Sequence, residues 1–151
     1  MDLIIRNARL RDGKELKDIA IKNGLFAAVE QNLNARGVNE IDAKGNLVSP
    51  PFIDPHLHLD AVLSVGDPGF NMSGTLLEGI QIWGERKKYL TKEIIKSNAV
   101  EAVKWEVANG ILKIRAHADT TDPSLLTVES LLEVKEEMKA LVDIQIVAFP
   151  Q

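Results

Sequence analysis

The chain has 151 residues, enough for one ordinary domain with a real hydrophobic core. Its 45% hydrophobic and 26% charged residues are globular in proportion, which excludes disorder, collagen and coiled coil. Lys plus Arg is 18 and Asp plus Glu is 22, so the net charge is −4, and aromatics make up 5%. That balance speaks against a nucleic-acid partner and against a basic membrane-surface helix. The absence of cysteine excludes disulfides, cysteine nucleophiles and thiolate zinc sites. It also excludes the zinc nucleobase deaminases that use a Pro-Cys-x-x-Cys signature. No apolar run has the length of a membrane span, and Met1-Asp2-Leu3-Ile4-Ile5-Arg6 is no signal peptide. The expectation is a cytoplasmic protein.

The first 50 residues read as a meander of short strands without a site. Leu3-Ile4-Ile5 is β-rich and precedes an Asp12-Gly13 turn. Asp18-Ile19-Ala20-Ile21-Lys22 alternates and meets Asn23-Gly24, followed by Leu25-Phe26-Ala27-Ala28-Val29, a hairpin pattern. A further short strand is expected at Asn39-Glu40-Ile41-Asp42, before a Lys44-Gly45-Asn46 turn. Pro50-Pro51 is a hard break and the best internal boundary, giving expected domains 1–50 and 51–151.

Beyond Pro51 the rhythm changes. Residues 52–60 read as a strand and 74–90 as a helix, with Leu76, Leu77, Ile80 and Trp83 spaced for one face. Thr91 can cap a second helix carrying Ile95, Ala99, Val103 and Val107, closed by Gly110 at its C′ position. Residues 111–118 form the next strand. Asp122-Pro123 offers a cap and a first-turn proline for a helix to about residue 141. A third strand follows at residues 144–149. Such alternation predicts a parallel sheet. Three parallel strands do not close a barrel, so the chain reads as the front portion of something longer.

The chemistry concentrates in Ile53-Asp54-Pro55-His56-Leu57-His58-Leu59-Asp60. On a strand, period two places His56 and His58 on one face, where two neutral imidazoles suit zinc or iron. Asp54 and Asp60 share that face in this reading and can orient an imidazole. His117, the only other histidine, lies at the end of the second strand of this set, with Asp119 beside it. It reads first as a partner behind the ligands, next as a packed core histidine and last as a third ligand. Gln151 follows Phe149-Pro150, and its carboxamide can read a flat amide edge. Asn71-Met72-Ser73-Gly74-Thr75-Leu76 reads as a capped helix start.

The segment Pro50-Pro51-Phe52-Ile53-Asp54-Pro55-His56-Leu57-His58-Leu59-Asp60 resembles the first-strand motif of the amidohydrolase superfamily. The likeness continues through Ser73-Gly74-Thr75-Leu76-Leu77-Glu78-Gly79-Ile80, Trp83-Gly84-Glu85-Arg86-Lys87 and Ala108-Asn109-Gly110-Ile111. It ends with Arg115-Ala116-His117-Ala118-Asp119 and the run from Asp143 to Gln151. Together these are similar to the barrel-type bacterial cytosine deaminases. The resemblance implies a small β-sandwich to which residues 1–50 contribute, then the first three βα units of a metal-dependent (β/α)₈ (TIM) barrel. It implies one divalent ion, Fe²⁺ or Zn²⁺, with His56 and His58 as its first two ligands. It implies that Gln151 and the Leu76 carbonyl contact a cytosine-like substrate, and that His117, Asp119 and Asp60 stand behind the ligands.

The implied reaction is hydrolytic deamination to uracil and ammonia, in pyrimidine metabolism, by a homo-oligomer when intact. The implied third metal ligand and proton-shuttling glutamate match nothing in these residues, so the chain needs the missing C-terminal part of the barrel. Taken alone, the 151 residues are expected to be inactive. The alternatives are the front of an aminotriazine (N-alkylammelide-type) amidohydrolase and an inactive truncated fragment.

Overall fold

A computed structural model describes residues 1–150; the substrate contact expected of Gln151 lies outside them. The chain is mixed α/β and divides into two units, Met1–Pro50 and Pro51–Gln151. No helix among the described residues is long and apolar enough to cross a membrane.

The first unit holds β1 (Leu3–Arg9), β2 (Leu16–Lys22), β3 (Leu25–Glu30) and β4 (Asn39–Asp42). Asn23 and Gly24 both adopt positive φ, 53° and 73°, as a tight β2–β3 hairpin of this twist requires. The sheet order is β3-β2-β1-β4, and β4 runs parallel to β1, so the expected meander is broken at its last step. β1 is longer than Leu3-Ile4-Ile5 alone suggests. Asn7 takes φ 54° at a register shift, and the strand resumes with Ala8 fully buried.

The second unit alternates β5 (Phe52–Leu57), α1 (Leu76–Lys87), α2 (Lys92–Ala108), β6 (Ile111–Asp119), α3 (Leu126–Met138) and β7 (Asp143–Phe149). β5, β6 and β7 form a parallel sheet in that order. Thr91 caps α2 by accepting from the Ile94 N–H, and Asn109 and Gly110 end it, Gly110 at φ 84°. The stripe Ile95, Ala99 and Val103 is buried as its spacing predicts, with Val107 packed at the margin. It packs with Ile114, Ala116 and Ala118 of β6 and Leu131 and Val134 of α3 into one core.

Two helix expectations are corrected. On α1, Leu76, Leu77 and Ile80 are exposed, and the buried residues are Trp83 and Arg86. The helix is rotated because Trp83 and Arg86 are held by hydrogen bonds to Asp119 and Asp67. At α3 the cap position is Leu125, in the left-handed region, not Asp122. Asp122 instead opens a tight turn. Its carbonyl accepts from Leu125 N–H, and its carboxylate accepts from Ser124 N–H and hydroxyl. Pro123 fills the second position of that turn, where its fixed φ suits it.

Candidate metal centre

β5 carries the residues of interest, and an irregularity in it decides where they point. Asp54 pairs with Ile114 and Leu57 with Ala116, so two residues, Pro55 and His56, stand opposite Arg115 alone. Ile114 and Ala116 face the helices, in the core. Asp54 therefore lies on the helix side, and the bulge returns His56 to the opposite face. The expectation that Asp54 shares the histidine face is thus overturned. Asp54 serves the bulge itself, accepting the His56 N–H at 2.9 Å. Pro55, which has no N–H to give a sheet, sits where no ladder bond is needed.

His58 lies one residue past the end of β5, yet its ring meets that of His56. The two Nε2 atoms are 3.3 Å apart. Two nitrogens bound at about 2.05 Å to one tetrahedral ion stand about 3.3 Å apart, so the spacing fits a shared cation. The donor set fits as well, because neutral imidazole nitrogen suits zinc and iron. Among the described residues no group of three or more His, Asp or Glu is arranged to hold an ion, so the pair stands by itself.

His117 joins these rings in a different way. It stacks on His56 at 3.9 Å between centroids and 17° between planes, and lies 5.8 Å from His58. Stacked rings cannot both aim in-plane lone pairs at one ion, which leaves His117 beside the pair. Its Nδ1 is buried and has no hydrogen-bond partner among the described residues. Burial, and then the neighbouring His56 and His58, hold its pKa below the usual value. Phe149 of β7 stands edge-on to all three imidazoles, at 6.3, 5.1 and 5.6 Å. It was not among the expected site residues, because in sequence it is one more apolar strand residue.

Behind the rings runs a polar network. Asp60 is 3% exposed, and its Oδ1 lies 4.0 Å from His58 Nδ1 without a hydrogen-bond partner. Its Oδ2 accepts the Asp119 N–H at 2.7 Å. Burial pushes the Asp60 carboxyl above its ordinary pKa, against the pull of that N–H and of His58. Asp119 in turn accepts from Trp83 Nε1 at 2.9 Å, Lys87 Nζ at 2.7 Å, and the Thr121 N–H and hydroxyl. Burial opposes its ionisation, but these donors outweigh burial and carry its pKa down to about 2. Trp83 and Lys87 are one helical turn apart, so Asp119 ties α1 to the end of β6. Leu76, expected near a substrate, opens α1 with its side chain exposed.

This architecture and site define a hydrolase class: residues 39–151 match the amidohydrolase family, and the chain belongs to it. The chain is 38% identical over 159 residues to the N-isopropylammelide isopropyl amidohydrolase of Pseudomonas sp. (strain ADP), covering 99% of this chain and 38% of that protein. Among solved structures, 5-methylcytosine deaminase from Klebsiella pneumoniae liganded with phosphonocytosine superposes with a TM-score of 0.91 at 42% identity. That match covers 97% of this chain and 36% of the other. The N-isopropylammelide isopropylaminohydrolase from Burkholderia multivorans gives 0.80 at 27% identity, over 99% of this chain and 37% of the other. The chain thus spans little more than a third of the length of these relatives.

Proposed function

We propose that this chain is the N-terminal, metal-binding part of an enzyme that hydrolyses an exocyclic C–N bond of a cytosine-like ring. In this reading residues 1–50 contribute strands to a small β-sandwich. Residues 51–151 supply the first three βα units of a (β/α)₈ barrel, and polypeptide outside these residues completes it. The observation that carries the reading is the 3.3 Å approach of His56 Nε2 to His58 Nε2. A divalent ion held there supplies Lewis acidity and makes water more acidic, which is the chemistry that hydrolysis of a cyclic amidine needs.

The chain's own groups have separable tasks. His56 and His58 offer Nε2, so each Nδ1 carries the proton. Asp60 Oδ1, 4.0 Å from His58 Nδ1 and otherwise unpartnered, is the carboxylate placed to orient that ring. His117 holds the plane of His56 by stacking, and Phe149 borders the rings edge-on from the side of β7. Asp119 anchors Asp60 through its N–H. The Leu76 carbonyl and the Gln151 carboxamide are assigned to the substrate's amide edge, where each offers a hydrogen-bonding group. The ion is iron or zinc.

The pyrimidine is preferred because the Klebsiella relative is a 5-methylcytosine deaminase. A second reading, an N-alkylated aminotriazine substrate, is favoured by the Pseudomonas relative, which aligns over almost the whole chain. The test supplies the full-length natural polypeptide, loaded with iron or zinc, with cytosine, 5-methylcytosine and N-isopropylammelide. Ammonia from a pyrimidine is the expected result. Isopropylamine alone supports the second reading, and no amine from any of the three overturns both.

A further inference from the structure

Two lysines close α1, and they turn opposite ways. Lys88, with a side chain 68% exposed, points outward and pairs with Glu85 on its own helix. Lys87, 26% exposed, points inward. Its Nζ donates to Asp119 Oδ2 at 2.7 Å and to the Thr121 hydroxyl at 2.9 Å. It also stands 6.0 Å from the centre of the Trp83 ring, within reach of a cation–π contact. A lysine in the last turn of a helix serves the helix dipole equally well from water, so the dipole does not account for the inward turn.

What Lys87 reaches is one member of a buried acidic pair. Asp119 is 1% exposed and Asp60 3%, and the Asp119 N–H donates to Asp60 Oδ2 at 2.7 Å. Neighbouring carboxylates out of water need a cation to offset their charge. Among the described residues, Lys87 is the only lysine or arginine within 4.0 Å of either. Asp119 is pinned from three sides. The Thr127 hydroxyl of α3 donates to its carbonyl at 2.6 Å, Lys87 and Trp83 of α1 hold its Oδ2, and its N–H holds Asp60. Asp60 has no donor from any other described residue, and its free Oδ1 lies 4.0 Å from His58 Nδ1. Where Asp60 aims is therefore set by where the Asp119 N–H stands.

We propose that Lys87 is a positioning residue for the imidazole pair: it holds the Asp119 carboxylate in place, so that the Asp119 N–H aims Asp60 at His58 and keeps His58 Nε2 turned toward His56. Trp83, one helical turn earlier, does part of the same work through its Nε1–H. The inference rests on the metal-binding reading above. Its sign sets it apart from plain electrostatics. Lys87 is positive, so by Coulomb's law its removal favours a cation nearby. Removal of a positioning group disfavours that cation instead, so the two effects move metal affinity in opposite directions.

The test uses the full-length natural polypeptide. Zinc affinity is measured by competition with a chelator, and the visible absorption of bound Co²⁺ reports the ligand geometry. Lys87→Met keeps the apolar stem and removes the charge. We expect it to weaken zinc binding about 10-fold and to alter the Co²⁺ spectrum, with far-UV circular dichroism intact. Lys87→Arg, which restores charge and donors, should recover most of the affinity. Lys88→Met removes the same charge from the adjacent residue and should leave both readouts unmoved. If Lys87→Met does not fold, Trp83→Phe takes one neutral donor from the same carboxylate and should give a smaller loss in the same direction. Zinc held as tightly or more tightly by these variants of Lys87 and Trp83, or a loss that Lys88→Met reproduces, overturns the proposal and leaves the metal-binding reading standing. An unsubstituted polypeptide that binds no zinc, or binds it equally well after His56→Ala, sinks that reading and the proposal together.

Discussion

The two units solve the problem of stability differently. In Met1–Pro50 the buried hydrophobic residues are four, Ile4, Ala8, Ile19 and Ala20, whereas the core of the second unit has fifteen among the described residues. The first unit leans on side chains that satisfy backbone. Arg6 donates to the carbonyls of Leu33 and Ala35 and to the carboxylates of Asp18 and Glu40. The second unit places its histidines on a sheet whose other face is packed by two helices. Imidazoles that must meet to within tenths of an ångström need rotamers locked by packing, and only the second unit supplies that.

Substitutions that remove apolar atoms break or sharpen this contrast most strongly. Leu131→Ala, at a fully buried core position, is expected to cost about 2–5 kcal/mol in urea unfolding. Phe26→Ala, on the exposed face of β3, should change stability by no more than about 0.5 kcal/mol. A larger loss at Phe26 would show that something covers that face in solution. Next comes the support of the imidazole pair. Asp60→Asn should lower metal affinity about 10–100-fold while leaving far-UV circular dichroism intact. Equal affinity in the variant would remove Asp60 from the account.

A pH series sharpens the contrast further. The folded pKa of Asp119 is depressed to about 2, against an ordinary 3.8. Its contribution to stability is therefore complete above the ordinary value and is lost as pH falls toward 2. Asp119→Asn should flatten that acid limb, and an unchanged limb would show that the Lys87 and Trp83 contacts carry no weight. The smallest effect is expected at Glu133, which bridges Lys92 and Lys96 between α2 and α3 from an exposed position, with its pKa also drawn down to about 2. Glu133→Gln should produce a slight loss of stability that salt abolishes.

Much of this was legible in the residues, and the failures have physical causes. Asn23-Gly24 specifies a hairpin because both positions need positive φ, and Thr91 and Gly110 specify the limits of α2 through local hydrogen bonding and handedness. Nothing local announces the bulge at Pro55 and His56. It arises from pairing with β6, and it alone moves Asp54 to the helix side. The rotation of α1 was hidden for a similar reason. Trp83 and Arg86 are held by Asp119 and Asp67, 36 and 19 residues away in sequence. The nearness of His56 and His58 was expected from period two on a regular strand, but the two rings meet through a bulge at His56 and with His58 past the strand's end; the stacking of His117 and the edge of Phe149 required the sheet order.

Metal stoichiometry tests the central claim most directly. The full-length natural polypeptide, dialysed against zinc or iron and then freed of excess ion, should retain about one ion per chain, as one shared site requires. His56→Ala and His58→Ala should each lose it while remaining folded by circular dichroism. Retention of the ion by the His56→Ala/His58→Ala double variant would contradict the account.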